Sequence, residues 1–426
     1  MNKRILLIVL FFVAVIAIAL VLYFFIFRTN ISAPPINEAQ NLINEQTGKL
    51  PVSREQWEGM TINERASANL PLYEWQEAAP AQSSEAQPVV LQVSEIANGG
   101  KTIINPVSND SAQSATLSFD GQNSLFYNST DGKFYQVDKN GIKTSLSNQV
   151  FHNVSNVNWA PNKDRAIIEY PDGFKIMYDF KNQKQYTLPN NWEDFSWDSR
   201  GNQIVFKATS QYSQNNWLAV ANSDGTGARA IENMGDNGDK VTVSWSPNNQ
   251  VVAFSATGQA QSAWQQEVLL IGQNGENFKS LIIDGRGFET QWNPRGDSIA
   301  YSVYSADSGY KPTLYLVKAQ GDEIGNDKIN TGLNTWSHKC AYNSSGSYLF
   351  CAVPKSLPEG SGMMSELATN LQDNFYKINA ITGEKTFLAE GAMGGYDVSQ
   401  LFISGDDGTL YFIDKNSGIL RYIKLR

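Results

Sequence analysis

The sequence predicts an all-β fold: seven blades of four antiparallel strands in a ring, a β-propeller, preceded by one N-terminal transmembrane helix and a linker. Three observations carry this. A short phrase of aromatic residue, turn and apolar strand recurs from about residue 115 onward. Its anchors lie 40, 38, 48, 47 and 50 residues apart, the length of four short strands with their turns. One uncharged apolar run stands at the N-terminus and no other follows it. The 426 residues, 41% hydrophobic and 12% aromatic, suffice for a large core and exclude a disordered chain.

Residues 5–27 (ILLIVLFFVAVIAIALVLYFFIF) are 23 residues without a charge, enough at about 1.5 Å per residue to cross a bilayer once. Lys3 and Arg4 precede the run and Arg28 follows it, so the positive-inside bias puts the N-terminus in the cytoplasm and the remainder outside the cell membrane. Ala17 and Ala19 have the spacing of a signal-peptide cleavage site, but the run continues past them through LVLYFFIF, so a retained anchor over residues 1–28 is expected. Residues 29–88 read as an extracytoplasmic stalk. Pro34, Pro35 and many Asn and Gln leave no apolar period, Ser53 with Gln56 offers a cap for one or two short helical turns, and AAPAQSSEAQ (78–87) is low-complexity. The folded domain is expected over residues 89–426, with the strand-like VVLQV and KTIINPV at its start either closing the ring or lying outside it.

The recurring phrase is WAPNKDRAIIEY from Trp159, WDSRGNQIVFKA from Trp197, WSPNNQVVAFSA from Trp245, WNPRGDSIAYSV from Trp292 and YNSSGSYLFCAV from Tyr342. A shorter form, FDGQNSLFYNS from Phe119, leads them, and LFISGDDGTLYFID (401–414) matches LFYNSTDGKFYQVD (125–138) in length. Each reads as a hairpin. The aromatic ends a strand, Pro161, Pro247 or Pro294 sets φ for the turn, and Gly201, Asn249, Gly296 or Gly346 supplies the positive φ that closes it. An apolar strand such as Ile204-Val205-Phe206 follows, then a loop, a further strand, a turn and a short outer strand. Such sheets bury both faces only when packed radially, and the ring leaves short, protected edges.

This aromatic-Ser/Asn-Pro-x-Gly phrase with its apolar strand resembles the repeats of TolB-like, WD-repeat-like bacterial β-propellers, over roughly residues 110–426. The resemblance implies the fold and leaves function open, because propellers host many unrelated activities. An anchor and a linker stand where secreted TolB has a cleavable signal and an extra α/β domain, so TolB's outer-membrane partners are not carried over. The α/β-hydrolase domain of prolyl-oligopeptidase relatives, which use similar blades, finds no room here.

Composition and motifs exclude several chemistries. Beyond residue 28 the chain carries 30 basic and 42 acidic residues, against the clustered cations that nucleic-acid binding requires. His152 and His338 are the only histidines, no Gly-x-Ser-x-Gly elbow occurs, and the Gly-rich stretches lack the strand-to-helix setting of a phosphate cradle. No catalytic residue, metal or cofactor is therefore assigned. Asp236-Asn237-Gly238-Asp239 and Gly405-Asp406-Asp407-Gly408 lack the terminal bidentate Glu of a calcium loop and read as solvated turns. Cys340 and Cys351 flank Ser345-Gly346 symmetrically, so they oppose each other in a hairpin and either form a disulfide or fill two apolar slots.

Loop length carries the functional expectation. The loops after each second strand and before each first strand share one face of the ring, and residues 207–216, 255–266, 302–312 and 354–373 enlarge it. Trp192, Tyr212, Trp217, Trp264, Tyr304, Tyr310 and Trp336 lie in or beside these loops, with Met363 and Met364, and large rings among adaptable polar residues are the composition of recognition surfaces. The expected function is a membrane-anchored recognition platform in the cell envelope, its loop face engaging a protein or an envelope glycan. The alternative is a polysaccharide- or peptide-processing enzyme using carboxylates on that face.

Overall fold

The computed structural model describes Thr61, Asn63 and residues 93–426 apart from Asn277. The expected anchor at residues 1–28 and most of the linker lie outside these residues. Among the described residues no helix is long and apolar enough to cross a membrane. Val90–Arg426 form one compact unit.

Alternating apolar and turn residues make the regular structure of this unit almost entirely strand, with only short 3-10 turns besides. In chain order these are β1 (Gly100–Thr102), β2 (Asn105–Leu117), β3 (Ser124–Asn128), β4 (Lys133–Val137) and β5 (Lys143–Ser145). Next come β6 (Asn156–Trp159), β7 (Arg165–Glu169), β8 (Lys175–Asp179) and β9 (Lys184–Leu188), then β10 (Trp192–Trp197), β11 (Gln203–Ala208), β12 (Trp217–Asn222) and β13 (Arg229–Asn233). They are followed by β14 (Val241–Val243), β15 (Val251–Ser255), β16 (Ala260–Ser262), β17 (Gln265–Gly272) and β18 (Leu281–Ile283), and by β19 (Arg286–Trp292), β20 (Ser298–Tyr304), β21 (Thr313–Lys318) and β22 (Ile329–Asn330). The last are β23 (Cys340–Tyr342), β24 (Tyr348–Pro354), β25 (Asp373–Asn379) and β26 (Lys385–Gly391), with β27 (Val398–Ile403), β28 (Thr409–Asp414) and β29 (Ile419–Lys424).

Hydrogen bonding sorts these strands into five sheets of four or five strands and one of seven, among the described residues. The five are β6 to β9, β10 to β13, β14 to β18, β19 to β22, and β23 to β26 with β1 added. The sixth runs β27-β28-β29-β2-β3-β4-β5. The expectation of seven separate four-stranded blades is corrected accordingly, and the reason is β2. Its first half pairs with β29 (Asn105↔Tyr422, Pro106↔Arg421) and its second half with β3 (Thr116↔Leu125, Leu117↔Ser124), so one strand belongs to two neighbouring sets. The residues before it lie at the other side of that neighbourhood: β1 pairs in parallel with β26, Gly100 opposite Ala389.

The recurring phrase is the first hairpin of a sheet, and its aromatic sits at a fixed register. Trp159 pairs with Ala166, Trp197 with Ile204, Trp292 with Ile299 and Tyr342 with Leu349. The same offset picks out Leu117 opposite Ser124 and Ile403 opposite Leu410. Phe119 is therefore not the anchor of the first unit; it lies in the turn beyond, 79% exposed. The two matching segments are hairpins one strand out of step, since 401–414 span β27 and β28 whereas 125–138 span β3 and β4.

This register explains why Trp recurs. In three of the four Trp units the indole N–H reaches the first strand of the preceding sheet or the residue just past it: Trp159 Nε1 donates to Ser114 O at 2.7 Å, Trp197 Nε1 to Asn158 O at 3.2 Å and Trp292 Nε1 to Ser244 O at 3.4 Å, whereas Trp245 Nε1 has no partner among the described residues. The turns repeat the tie. Asn249 bonds the Ser199 hydroxyl and backbone N–H, Asn248 Nδ2 donates to Gly296 O, Arg295 Nη1 to Ser345 O and Asn343 Nδ2 to Asp407 Oδ2. Between successive sheets lie the apolar clusters, such as Phe254, Leu281 and Ile283 against Ile299 and Tyr301. Each such side chain, fully buried, contributes about 1.5–3 kcal/mol. First strands also touch, β2 with β6, β10 with β14, β23 with β27, and β27 back to β2, where Gln400 Nε2 donates to Ala115 O at 2.7 Å.

Candidate interaction surface and central cavity

Three of the four long loops are built into one surface. β20 ends at Tyr304, and the chain turns through a 3-10 helix, Ala306–Ser308, whose Ser308 hydroxyl accepts from Ser305 N and donates to Lys311 O. Gly309 and Tyr310 follow with φ of 61° and 55°, which turns the Tyr310 ring onto the edge of Trp264 at 5.6 Å. The 354–373 loop locks onto this corner by its backbone, Gly360 N to Gly309 O at 3.0 Å and Gly362 N to Tyr310 O at 2.8 Å. Glycine is required there, because a Cβ on Gly362 would stand 2.6 Å from Tyr304 Cβ and one on Gly287 would stand 2.6 Å from Tyr304 Cε1. Tyr304 is thus a packed post under the surface. Trp336 packs with Leu357, Ala368 and Leu371 in a small core beneath the same loop. What the loop shows to solvent is Met363, Met364 and Leu367, 55%, 52% and 44% exposed.

The remaining expected residues fall elsewhere. Trp192 is not on this surface: it begins β10, is buried, and stacks on Phe206 with ring centroids 3.7 Å apart. Tyr212 and Trp217 are exposed, but their loop is tied to its own sheet, with Asn216 Nδ2 donating to Gly235 O and Asn233 Nδ2 to Gln214 O. A disulfide joins Cys340 and Cys351, directly opposed on β23 and β24 with Cα atoms 4.1 Å apart. The acidic turn at 405–408 spends its carboxylates locally, Asp406 Oδ1 on the Ser404 hydroxyl and Gly408 N, and Asp407 Oδ2 on Asn343. Among the described residues no three His, Cys, Asp or Glu side chains converge as a metal site would require.

A second feature, without a local sequence signature, lies where the first strands meet. A cavity of about 760 Å³ is lined from β2, β6, β19 and β27 and from the turn before β23. Glu289 on β19 accepts three hydrogen bonds on Oε1: Ser337 Oγ at 2.9 Å, His338 N at 2.7 Å and His338 Nδ1 at 2.9 Å. Burial works to raise the Glu289 pKa, but the His338 and Ser337 contacts outweigh it and hold the carboxyl below its usual range. Nδ1 is the ring nitrogen of His338 taken by Glu289, so Nε2 is the one left for a further partner. The His338 ring lies against Trp336, centroids 6.0 Å apart at 29°.

A side chamber of about 140 Å³ shares His338, Ser399 and Lys415 with this cavity and adds Trp336, Lys339 and Asp397. Its floor is a buried ion triad. Lys339 Nζ lies 2.9 Å from Asp373 Oδ2 and 3.0 Å from Asp397 Oδ1, with side chains 5%, 0% and 3% exposed. Asp373 Oδ2 also accepts Val398 N at 2.7 Å, whereas its Oδ1 has no partner among the described residues. Burial raises the Asp373 pKa against the lowering effect of Lys339. The triad pins β25 to the start of β27, and so one sheet to the next.

Circuits of four-stranded sheets, stapled first strand to first strand about a central cavity, have known counterparts. A β-propeller domain of Cps50 (Swd1) from Myceliophteria thermophila superposes with a TM-score of 0.52 at 10% identity, covering 76% of this chain and 100% of that one. The described unit is a β-propeller. An oligogalacturonate lyase in complex with manganese gives a TM-score of 0.52 at 14% identity, covering 73% of this chain and 88% of that one. The oligogalacturonate lyase of Vibrio parahaemolyticus gives 0.50 at 13%, covering 76% and 91%. At these identities the likeness concerns the propeller fold alone. No family model matches the chain, and no curated protein does.

Proposed function

We propose that this propeller is a protein-interaction platform, held outside the cell membrane by the apolar segment at residues 5–27, and that its loop surface around Tyr310 is the contact face. One observation carries the reading: the loops at 255–266, 302–312 and 354–373 lock together by ring and backbone contacts, so Met363, Met364 and Leu367 are displayed on a preformed support. Exposed apolar side chains on rigid loops mark association surfaces, because their desolvation costs little ordering entropy. In this reading the seven-stranded sheet is two blades sharing β2, which makes seven in all and keeps the TolB-like repeat resemblance. The charge bias of Lys3 and Arg4 before the apolar segment supports an N-terminus in the cytoplasm and a propeller in the envelope.

The enzyme alternative needs two carboxylates across a pocket. Among the described residues Glu289 is the single carboxylate lining the central cavity, and three donors already hold it, so the interaction reading is preferred. The test is in-cell photocrosslinking from position 363, with position 248 in the repeat turn as control. A discrete protein adduct from 363 alone, lost when Met364 and Leu367 become Ser, is the expected result. Adducts from both positions, or from neither, would overturn it.

A further inference from the structure

The central cavity has polar equipment that the loop-surface reading does not use. Three of its amides are anchored by their nitrogens: Gln113 Nε2 to Ser155 O at 2.9 Å, Gln400 Nε2 to Ala115 O at 2.7 Å, and Asn156 Nδ2 to Glu169 Oε1 at 2.8 Å. Their amide oxygens have no donor among the described residues, nor has Glu289 Oε2, since all three bonds to Glu289 end on Oε1. Anchoring one end of an amide fixes where its other end is aimed, so these side chains are held for an incoming donor at no further cost in rotamer entropy. Opposite in character stands Lys415, exposed, lining both cavity and side chamber, its Nζ without hydrogen bond or ion pair among the described residues. One carboxylate, one ammonium and one imidazole leave the lining close to electrically neutral.

We propose that this cavity is a binding site for an uncharged oligosaccharide. Hydroxyl groups donate and accept at once, which matches fixed amide and carboxylate oxygens as acceptors and Lys415 as a donor. A polyanion would leave the free acceptors unpaired and face Glu289, and an apolar ligand would desolvate all of them without return. The volume, about 760 Å³, falls in the range of small-molecule sites and admits more than one ring. This site is independent of the loop surface.

The purified full chain is screened on an array of neutral and anionic glycans, and binders are measured by titration calorimetry with chitotriose, cellotriose and trigalacturonate as defined probes. Two variants locate the site: Lys415→Met, which removes a group with no protein partner, and Glu289→Gln, which keeps the Oε1 acceptor. Neutral glycans are expected to bind one per chain, and each variant to weaken them roughly tenfold, the cost of one unmet hydrogen bond to a charged group. Lys415→Met is expected to melt with the parent and Glu289→Gln slightly below it, since Glu289 is held in its charged form, and Ile381→Ser, in a remote exposed turn, is expected to bind as the parent does. Absence of any neutral binder, binding confined to anionic glycans, or affinity unmoved in both variants would overturn the proposal.

Discussion

Replacing Lys339 by Met isolates the energetics of the buried triad. The ammonium lies within 3.0 Å of two carboxylates that are 0% and 3% exposed, so its removal leaves like charges facing each other out of water. Breaking a buried pair by deleting one partner costs about 3–5 kcal/mol, and here one lysine serves two acids, which places the loss at pH 7.5 toward the upper end. The deficit has a pH signature. Burial already raises the Asp373 pKa, so the folded state holds its proton more tightly than the unfolded chain, and stability from this group is gained as pH falls through the folded value. Without Lys339 one carboxyl of the pair titrates still higher, and the variant should recover part of its loss between pH 7.5 and pH 5. Denaturant unfolding of the parent, Lys339→Met, and Lys339→Met with Asp373→Asn and Asp397→Asn gives the comparison. The triple variant is expected to regain most of the stability at pH 7.5. A single variant that loses less than about 1 kcal/mol, or whose loss is the same at both pH values, would refute the reasoning.

Two further outcomes follow from groups near the cavity. Removing the disulfide with Cys340→Ala and Cys351→Ala should cost about 3 kcal/mol by the chain-entropy estimate for a loop closed over 11 residues, read as a lower denaturant midpoint that reductant reproduces in the parent. Because Glu289 is held below its usual pKa, its contribution is present above the unfolded value and is lost as pH falls through the folded one; Glu289→Gln should flatten the acid limb of the stability profile below about pH 4.5. That change should be modest, since the Glu289 side chain is 37% exposed and screened by solvent.

The hairpins were legible because most share the same chemistry at the same offset: an aromatic, in three of them a Trp whose N–H reaches the preceding sheet, a residue that tolerates positive φ, and an apolar strand. Where that chemistry lapses, sequence reading slips. Leu117 and Ile403 take the aromatic's place without its signature, so Phe119 drew the first boundary two residues late. Burial of loop-flanking rings was not legible either. Trp192 and Trp264 have similar neighbours in sequence, yet one begins a strand and stacks on Phe206, whereas the other meets Tyr310 in a loop. The cavity was invisible for a different reason. Gln113, Glu289, His338 and Gln400 are brought together only by the closed circuit of first strands, and no local spacing records it.

The double allegiance of β2 has a consequence for how the molecule is made. Its first half waits for β29, the last strand of the described unit, while its second half finds β3 at once. Until residues 419–424 arrive, residues 105–111 are an unsatisfied edge, and every sheet between can form before the clasp shuts. Closing it joins the two most distant ends of the unit, so it is the slowest contact to gain and the one whose release opens the whole circuit. A chain lacking β29 would therefore lose the latch rather than one sheet.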